Sequence, residues 1–430
     1  MENKVFAKAA WRIVPFMMLL YVVNFLDRVN VGFASLTMDK DLGVDAEAFG
    51  LVGGMFFIGY FFFEIPSNVI LEKVGARLWI CRIMLTWGIV SMATAWARGV
   101  NSLLVLRFLL GVTEAGFFPG MILYLTYWFP GTVRARFVAL FLAAIPFANV
   151  IGGPLSTEIM ARTNGMFGAH GWQWLFLIEG LPSCVLAVAV FMWLPDGPQS
   201  APWLSDEEKA IIADRLAADP PRDHHALLPM LRDVRVWLLT IPDFLIVLAL
   251  YGVGLWLPQI VHAVGFSNRE TGFVLAALYT VSILATIGWS ASSDYRGERI
   301  WHIVVASGMA AAGLIVAAAT QGSVVSLVAL VVAAAGIYAA VAVFWTLPSS
   351  FLGGTAAAGG IALINSFANL GGFLGPFAMG WLLKKTGTYA AGMSVLAVSM
   401  IGAAIMILVL GRSLSLKARA HMFDKYAPPV

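Results

Sequence analysis

Runs of about twenty apolar residues, separated by short polar turns, recur from one end of this chain to the other. A helix of that length crosses the hydrocarbon core of a bilayer. The runs lie at 12–36, 47–71, 79–97, 102–127, 135–160 and 173–194, then at 236–262, 271–292, 301–319, 324–347, 357–382 and 390–411. The pattern predicts an all-α membrane protein of twelve transmembrane helices.

The longest polar interruption, 195–235, separates six spans from six. Within it Ser205 and Glu208 form a capping box that opens a helix, and Pro220-Pro221 closes it. Ile211, Ile212 and Leu216 give this helix one apolar face, expected to lie on the inner surface of the membrane part. The expected organisation is a six-helix bundle over 1–194, a cytoplasmic linker over 195–235, and a second bundle with a short cytoplasmic tail over 236–430.

Two motifs recur at one offset. "EKVGARLW" begins at Glu72 and "DYRGERIW" at Asp294, 222 positions later (294 − 72). Gly153-Pro154 and Gly375-Pro376 are separated by the same distance (375 − 153 = 222). Two matches at one offset predict a duplicated six-helix unit, with the bundles related by a pseudo-twofold axis along the membrane normal. In the first motif Gly75 supplies a turn shape other residues resist. Glu72 and Arg77, and likewise Asp294, Gly297 and Arg299, are expected to hold such turns to helix ends and to serve gating.

Composition agrees with the membrane assignment. Hydrophobic residues make up 60% of the chain and Asp, Glu, Lys and Arg only 12%, against about 25% charged in a soluble domain. Lys4, Lys8, Arg12, Lys73, Arg77, Arg134, Arg136, Arg296 and Arg299 fall in loops of one side, and Arg412, Lys417, Arg419 and Lys425 follow the last span. The positive-inside rule then puts both termini in the cytoplasm of an inner or plasma membrane. The first span carries Asp27-Arg28 and no small-residue cleavage site, so it reads as a retained helix. The net charge of +3 reflects basic loops and implies no nucleic acid. Cys81 and Cys184 both fall in spans and suggest packing rather than a disulfide or metal centre.

The ionisable residues within the spans were not duplicated. Asp27 and Arg28 lie in the first span, Arg107 and Glu114 in the fourth; the positions 222 later are Ala249, Leu250, Ala329 and Gly336. A charge at mid-membrane costs about 2.5–3.5 kcal/mol on insertion scales, so these groups must pair, face a wet cavity or be neutralised. Adjacent helical residues diverge by about 100°, so Asp27 and Arg28 cannot share a partner. The expected arrangement links Asp27, Arg107 and Glu114, with Arg28 turned to a cavity. Desolvation and a movable arginine together switch a carboxyl's proton affinity, which is the outline of proton–anion symport. Glu64 and Asp243 are expected to play helix-end roles, and His224-His225 to face solvent.

The stretches "YVVNFLDRVNVGFA", "RFLLGVTEAGFFPGMILYLTYWFPGTVRAR", "YGVGLWLPQI" and "ALINSFANLGGFLGP" resemble the anion:cation symporter family of the major facilitator superfamily, over about residues 10–415. The resemblance implies that Asp27 and Glu114 are proton-coupling acids, with Arg107 interacting with them. It implies that Arg28 binds a substrate carboxylate, Tyr60 lines the site, and Asn365 or Asn369 faces it from the eleventh span. Glu72 to Arg77 matches the superfamily's loop motif, with Glu for the usual Asp and Asn68 where Gly is usual. Sugar-acid members carry an amide near Ile145 and a tyrosine near Phe25. Here both positions are apolar, and with Tyr60, Tyr251, Trp256, Phe344 and Trp345 this favours a less hydroxylated or aromatic acid.

The expected function is proton-coupled uptake of a small organic carboxylate by alternating access. Its partners are the anion, protons and the bilayer, with no cofactor, no metal and a monomeric chain. No nucleotide-binding loop or nucleophile–base set is visible, which argues against a pump or an enzyme. The rivals are a proton-driven exporter, an anion exchanger and a transporter-like carboxylate sensor.

Overall fold

The computed structural model describes residues 2–142, 144–218, 232–348 and 356–425. In lipid every backbone N–H and C=O needs an internal partner, and helices supply it. In chain order they are α1 (Glu2–Leu42), α2 (Ala46–Val74), α3 (Ala76–Ala93), α4 (Val100–Glu114), α5 (Phe117–Trp128), α6 (Gly131–Leu142), α7 (Ala144–Thr163) and α8 (Gly171–Trp193). There follow α9 (Asp206–Ala217), α10 (Val234–His262), α11 (Asn268–Arg296), α12 (Ile300–Ala319), α13 (Val324–Phe344), α14 (Ala356–Thr386) and α15 (Ala390–Lys425). Among the described residues eleven helical stretches are long and apolar enough to cross a membrane, α4 with α5 and α6 with α7 each forming one of them. α14 is helical over 31 residues and is additional to those eleven.

Several helices outrun the apolar runs that predict them, because polar residues at the ends continue the same hydrogen-bonded ladder. α1 extends from Glu2 to Leu42 around the expected 12–36. Their lipid-directed faces keep large apolar residues exposed, Phe62, Val69 and Trp193 among them.

The chain forms two compact units. The first comprises Met1–Arg222, Gly254–Thr280 and Leu383–Lys385; the second comprises Asp223–Val253, Val281–Leu382 and Thr386–Val430. Within the first unit α9 opens on the anticipated capping box: Ser205 Oγ accepts from Glu208 N at 3.2 Å, and Ser205 N donates to Glu208 Oε2 at 2.9 Å. Ile212 is fully buried, α9 packs against α1 and α5, and Lys8 Nζ reaches Glu208 Oε2 at 2.7 Å. Pro220-Pro221 and His224-His225 lie outside the described residues.

The duplicated motif is wired differently in its two copies. Gly75, at φ 98°, ends α2, and Arg77 turns to Asp196, whose Oδ1 accepts from Arg77 N at 2.9 Å and whose Oδ2 lies 3.7 Å from Arg77 Nε. In the second unit Gly297 has φ 62° and Arg299 closes back on the motif's own acid, Asp294 Oδ1, at 2.6 Å. The proline-flanked glycines keep their parallel in part. Both sit against a neighbouring backbone, though not an equivalent one: a Cβ at Gly153 would run into the backbone of Gly272, and one at Gly375 into that of Leu248.

Candidate functional site

α1 carries Asp27 and Arg28 in its body, and their divergence around the helix sends them to different neighbours. Asp27 is fully buried. Its Oδ1 accepts from Ser91 Oγ of α3 at 2.7 Å, and its Oδ2 from Ser183 Oγ of α8 at 2.8 Å and Trp87 Nε1 at 2.9 Å. Asn30 Nδ2 stands 3.5 Å from Oδ1. Three close donors complete the coordination expected of a carboxylate, which only accepts.

Arg28 turns instead to Glu114, the last residue of α4. Its Nε donates to Glu114 Oε1 at 3.0 Å, and Nη2 closes on the same oxygen. The pair is sealed, the Arg28 side chain being 10% exposed and that of Glu114 0%. The guanidinium also lies over aromatic faces, 5.1 Å from the Phe56 ring centroid and 5.4 Å from that of Tyr60. Such contacts stabilise a cation withdrawn from water.

Arg107, 2% exposed, lies 5.5 Å from the Phe56 centroid, and its Nη2 points to the Arg28 carbonyl at 3.5 Å. Its Nε and Nη1, and Glu114 Oε2, have no hydrogen-bond partner. The arrangement therefore differs from the one the spacing suggests. Glu114 takes Arg28 rather than Arg107, and Asp27 is held by α3 and α8 rather than by an arginine. The reason is rotational: Asp27 faces the α3–α8 side of α1, which leaves Arg28 aimed at α4.

The chain breaks its helix immediately after Glu114. Ala115 has φ −54° and ψ 133°, Gly116 is left-handed at φ 87°, and α5 starts at Phe117. A Cβ at Gly116 would overlap Ser67 Oγ. This break frees the end of α4 beside the ion pair, and "EAGFFPG" carries its signal in Gly116 and Pro119.

The remaining candidates divide between the units. Tyr60 is 4% exposed and joins the Arg28 cluster. Trp256, also in the first unit, is buried edge-on against Phe49 at 4.9 Å. Tyr251, Asn365 and Asn369 belong to the second unit, each half-buried. Asp243 corrects two expectations. It lies inside α10 rather than at a helix end, and is fully buried with neither oxygen hydrogen-bonded, so buried acid is not confined to the N-terminal half. Glu64 likewise lies within the body of α2, 3% exposed.

Sequence reasoning missed Trp87, Ser91, Ser183 and Phe56, which are unremarkable types in apolar spans. It also missed Asn24, fully buried with no partner on either amide atom, and Glu179, 4% exposed in α8. For Glu179 the signal was present: an acid in the apolar run "LFLIEGLPSC", with Ile401 at the position 222 later.

Membrane-length helices that enclose a sealed Arg–Glu pair define a multi-pass membrane transporter. The chain belongs to the Major Facilitator Superfamily, whose family model matches residues 17–376. It is 46% identical over 416 residues to a protein of Agrobacterium vitis named for tartrate transport, covering 96% of this chain and 92% of that one. A quinolone resistance transporter of Acinetobacter baumannii is 41% identical over 405 residues, covering 93% of this chain and 93% of that one. In fold it is similar to the crystal structure of a bacterial homologue of the human lysosomal transporter Spinster, with a TM-score of 0.73 and 18% identity over 97% of this chain and 98% of that one. The family and these relatives are transporters, and the chain is a transporter, not an enzyme.

Proposed function

We propose that this protein is an anion:cation symporter that takes up a small organic carboxylate with protons. The observation that carries the reading is the buried Arg28–Glu114 pair. An incoming carboxylate competes with Glu114 for the Arg28 guanidinium. Once displaced, Glu114 is a buried carboxylate that has lost its hydrogen-bonded cation, and taking a proton removes that penalty. One anion bound thus brings one proton. The unpartnered Nε and Nη1 of Arg107 supply further donors for the cargo, and Asn24 a neutral polar contact. Asp27, with Arg107 nearby, serves as the second coupling acid.

The name of the Agrobacterium vitis relative supports a small hydroxy diacid such as tartrate as cargo, whereas the apolar Ile145 and Phe25 favour a less hydroxylated acid. Tartrate and an aromatic monocarboxylate are therefore the first two probes. We place twelve spans in two six-helix bundles, with α14 as the eleventh span in chain order, both termini cytoplasmic, and the monomer in the inner membrane. Tyr251, Asn365 and Asn369 are kept as substrate-contact candidates of the second bundle. The proton gradient is the energy source, without a cofactor.

The test is uptake of labelled tartrate into proteoliposomes under an imposed pH gradient. Accumulation should follow the gradient and collapse with a protonophore; indifference to it removes proton coupling. A second reading, proton-driven export, is favoured by the name of the Acinetobacter baumannii relative. Net extrusion in the same vesicles would select it, and an absolute need for internal anion would select exchange.

A further inference from the structure

Glu179 belongs to no part of the mechanism above, yet it is buried in the same bundle as Asp27. Its Oε1 accepts from Ser156 Oγ of α7 at 2.7 Å, while Oε2 has no hydrogen-bond partner. The other polar groups facing it are Asn30 and Asp27, both on α1, and no basic side chain is among them. Asn30 is fully buried and directs Nδ2 to Asp27 Oδ1 at 3.5 Å, so one amide faces both acids.

The two acids are unequal in setting. Asp27 has three close donors and Glu179 has one. Arg107 lies on the Asp27 side of the pair, and two neighbouring carboxylates exchange protons as a coupled pair. Glu179 is thus the less fully held of the two, with one carboxyl oxygen left open.

The acids also differ in depth. α1 ends and α8 begins at one face of the bundle, where Trp172 Nε1 donates to Asp41 Oδ2 at 2.9 Å. Ser183, four residues after Glu179 on α8, donates to Asp27 Oδ2 at 2.8 Å and so marks the depth of Asp27. Glu179 therefore stands one helical turn, about 6 Å, closer to that face.

We propose that Glu179 is a proton relay: it takes a proton from the face where α1 ends and α8 begins and passes it to Asp27. In the transfer the Glu179 carboxyl loses its O–H bond and the Asp27 carboxylate gains one. The Glu179 carboxylate left behind is then reprotonated from water at that face. This rests on the proposed proton coupling at Asp27.

Glu179→Gln keeps the shape and the Ser156 contact but carries no proton. In proteoliposomes with tartrate it should lose gradient-driven uptake about tenfold or more while losing less than about threefold of counterflow, which needs no net proton movement. Glu179→Asp should restore most of the uptake. Should Glu179→Gln not fold, Ser156→Ala keeps the carboxyl and removes its one close donor. It should move the midpoint of the uptake–pH profile by about one unit, the effect of one hydrogen bond to a charged group. The relay is overturned if wild-type uptake follows the gradient and Asp27→Asn abolishes this, yet Glu179→Gln matches wild type, or Ser156→Ala leaves the profile in place. Wild-type uptake that ignores the gradient defeats the symport reading instead.

Discussion

Arg28 and Glu114 each owe their burial to the other. Removing one partner of a buried ion pair leaves an uncompensated charge and costs about 3–5 kcal/mol, whereas replacing both by apolar groups is often neutral. Glu114→Ala should therefore lower the thermal stability of the purified protein markedly. Arg28→Met combined with Glu114→Leu should recover most of that stability and none of the uptake. Stability and transport recovering together would make the pair purely structural. The insertion-cost argument singled out both residues, and it would equally have flagged Glu179. Their pairing was not legible, because it depends on how α1 is rotated against α3, α4 and α8. Seven-residue spacing puts Arg107 and Glu114 on one face of a helix but leaves open which one a neighbouring arginine meets.

Hydrophobic runs found the helices because lipid demands both length and apolarity of a crossing segment. They did not reveal the break after Glu114, since a single left-handed residue hardly changes a twenty-residue average. That break makes its own prediction. Gly116→Ala places a Cβ in a left-handed conformation and against Ser67 Oγ, which should destabilise the protein by about 1–3 kcal/mol in thermal unfolding and slow uptake through the displaced end of α4. The amphipathic linker helix was readable in full from Ser205 to Leu216, but its anchor was not. The hydrogen bond from Lys8 and the Ser205 N–H hold Glu208 below its ordinary value of 4.5. A carboxyl depressed in this way favours docking above its free value, and that contribution fades as pH falls through the lowered one. Amides of α9 should therefore stay protected in hydrogen exchange near neutrality and lose protection below about pH 4. Glu208→Gln should expose them already at pH 7.

The turn after α2 and the turn after α11 carry one motif 222 positions apart, the spacing that predicts a duplicated unit. Arg77 and Arg299, at matching places in the two motifs, have different partners. The first compact unit also recruits chain from far along the sequence. Gln259 Nε2 of α10 donates to Ser35 Oγ at 2.8 Å and to Asp39 Oδ2 at 3.1 Å, Arg269 pairs with Glu158, and Lys384 reaches Asp45 at 3.0 Å and Glu47 at 2.7 Å. No motif announced these ties, because each joins residues of ordinary polar type that only the folded chain brings together. Exposed ion pairs contribute about 0–1 kcal/mol each, so a few of them can hold one state without locking it. The alternating access expected of the proposed symport requires such ties to open in every cycle. With Cys81 and Cys184 replaced by serine, Ser35→Cys with Gln259→Cys joined by a short bifunctional thiol reagent should therefore stop uptake. Cleaving the link should restore it, and either cysteine alone should transport normally in the presence of the reagent. Undiminished uptake by the cross-linked protein would mean that this end of the bundle stays shut throughout transport, and the alternating-access cycle proposed for this carrier would have to be abandoned.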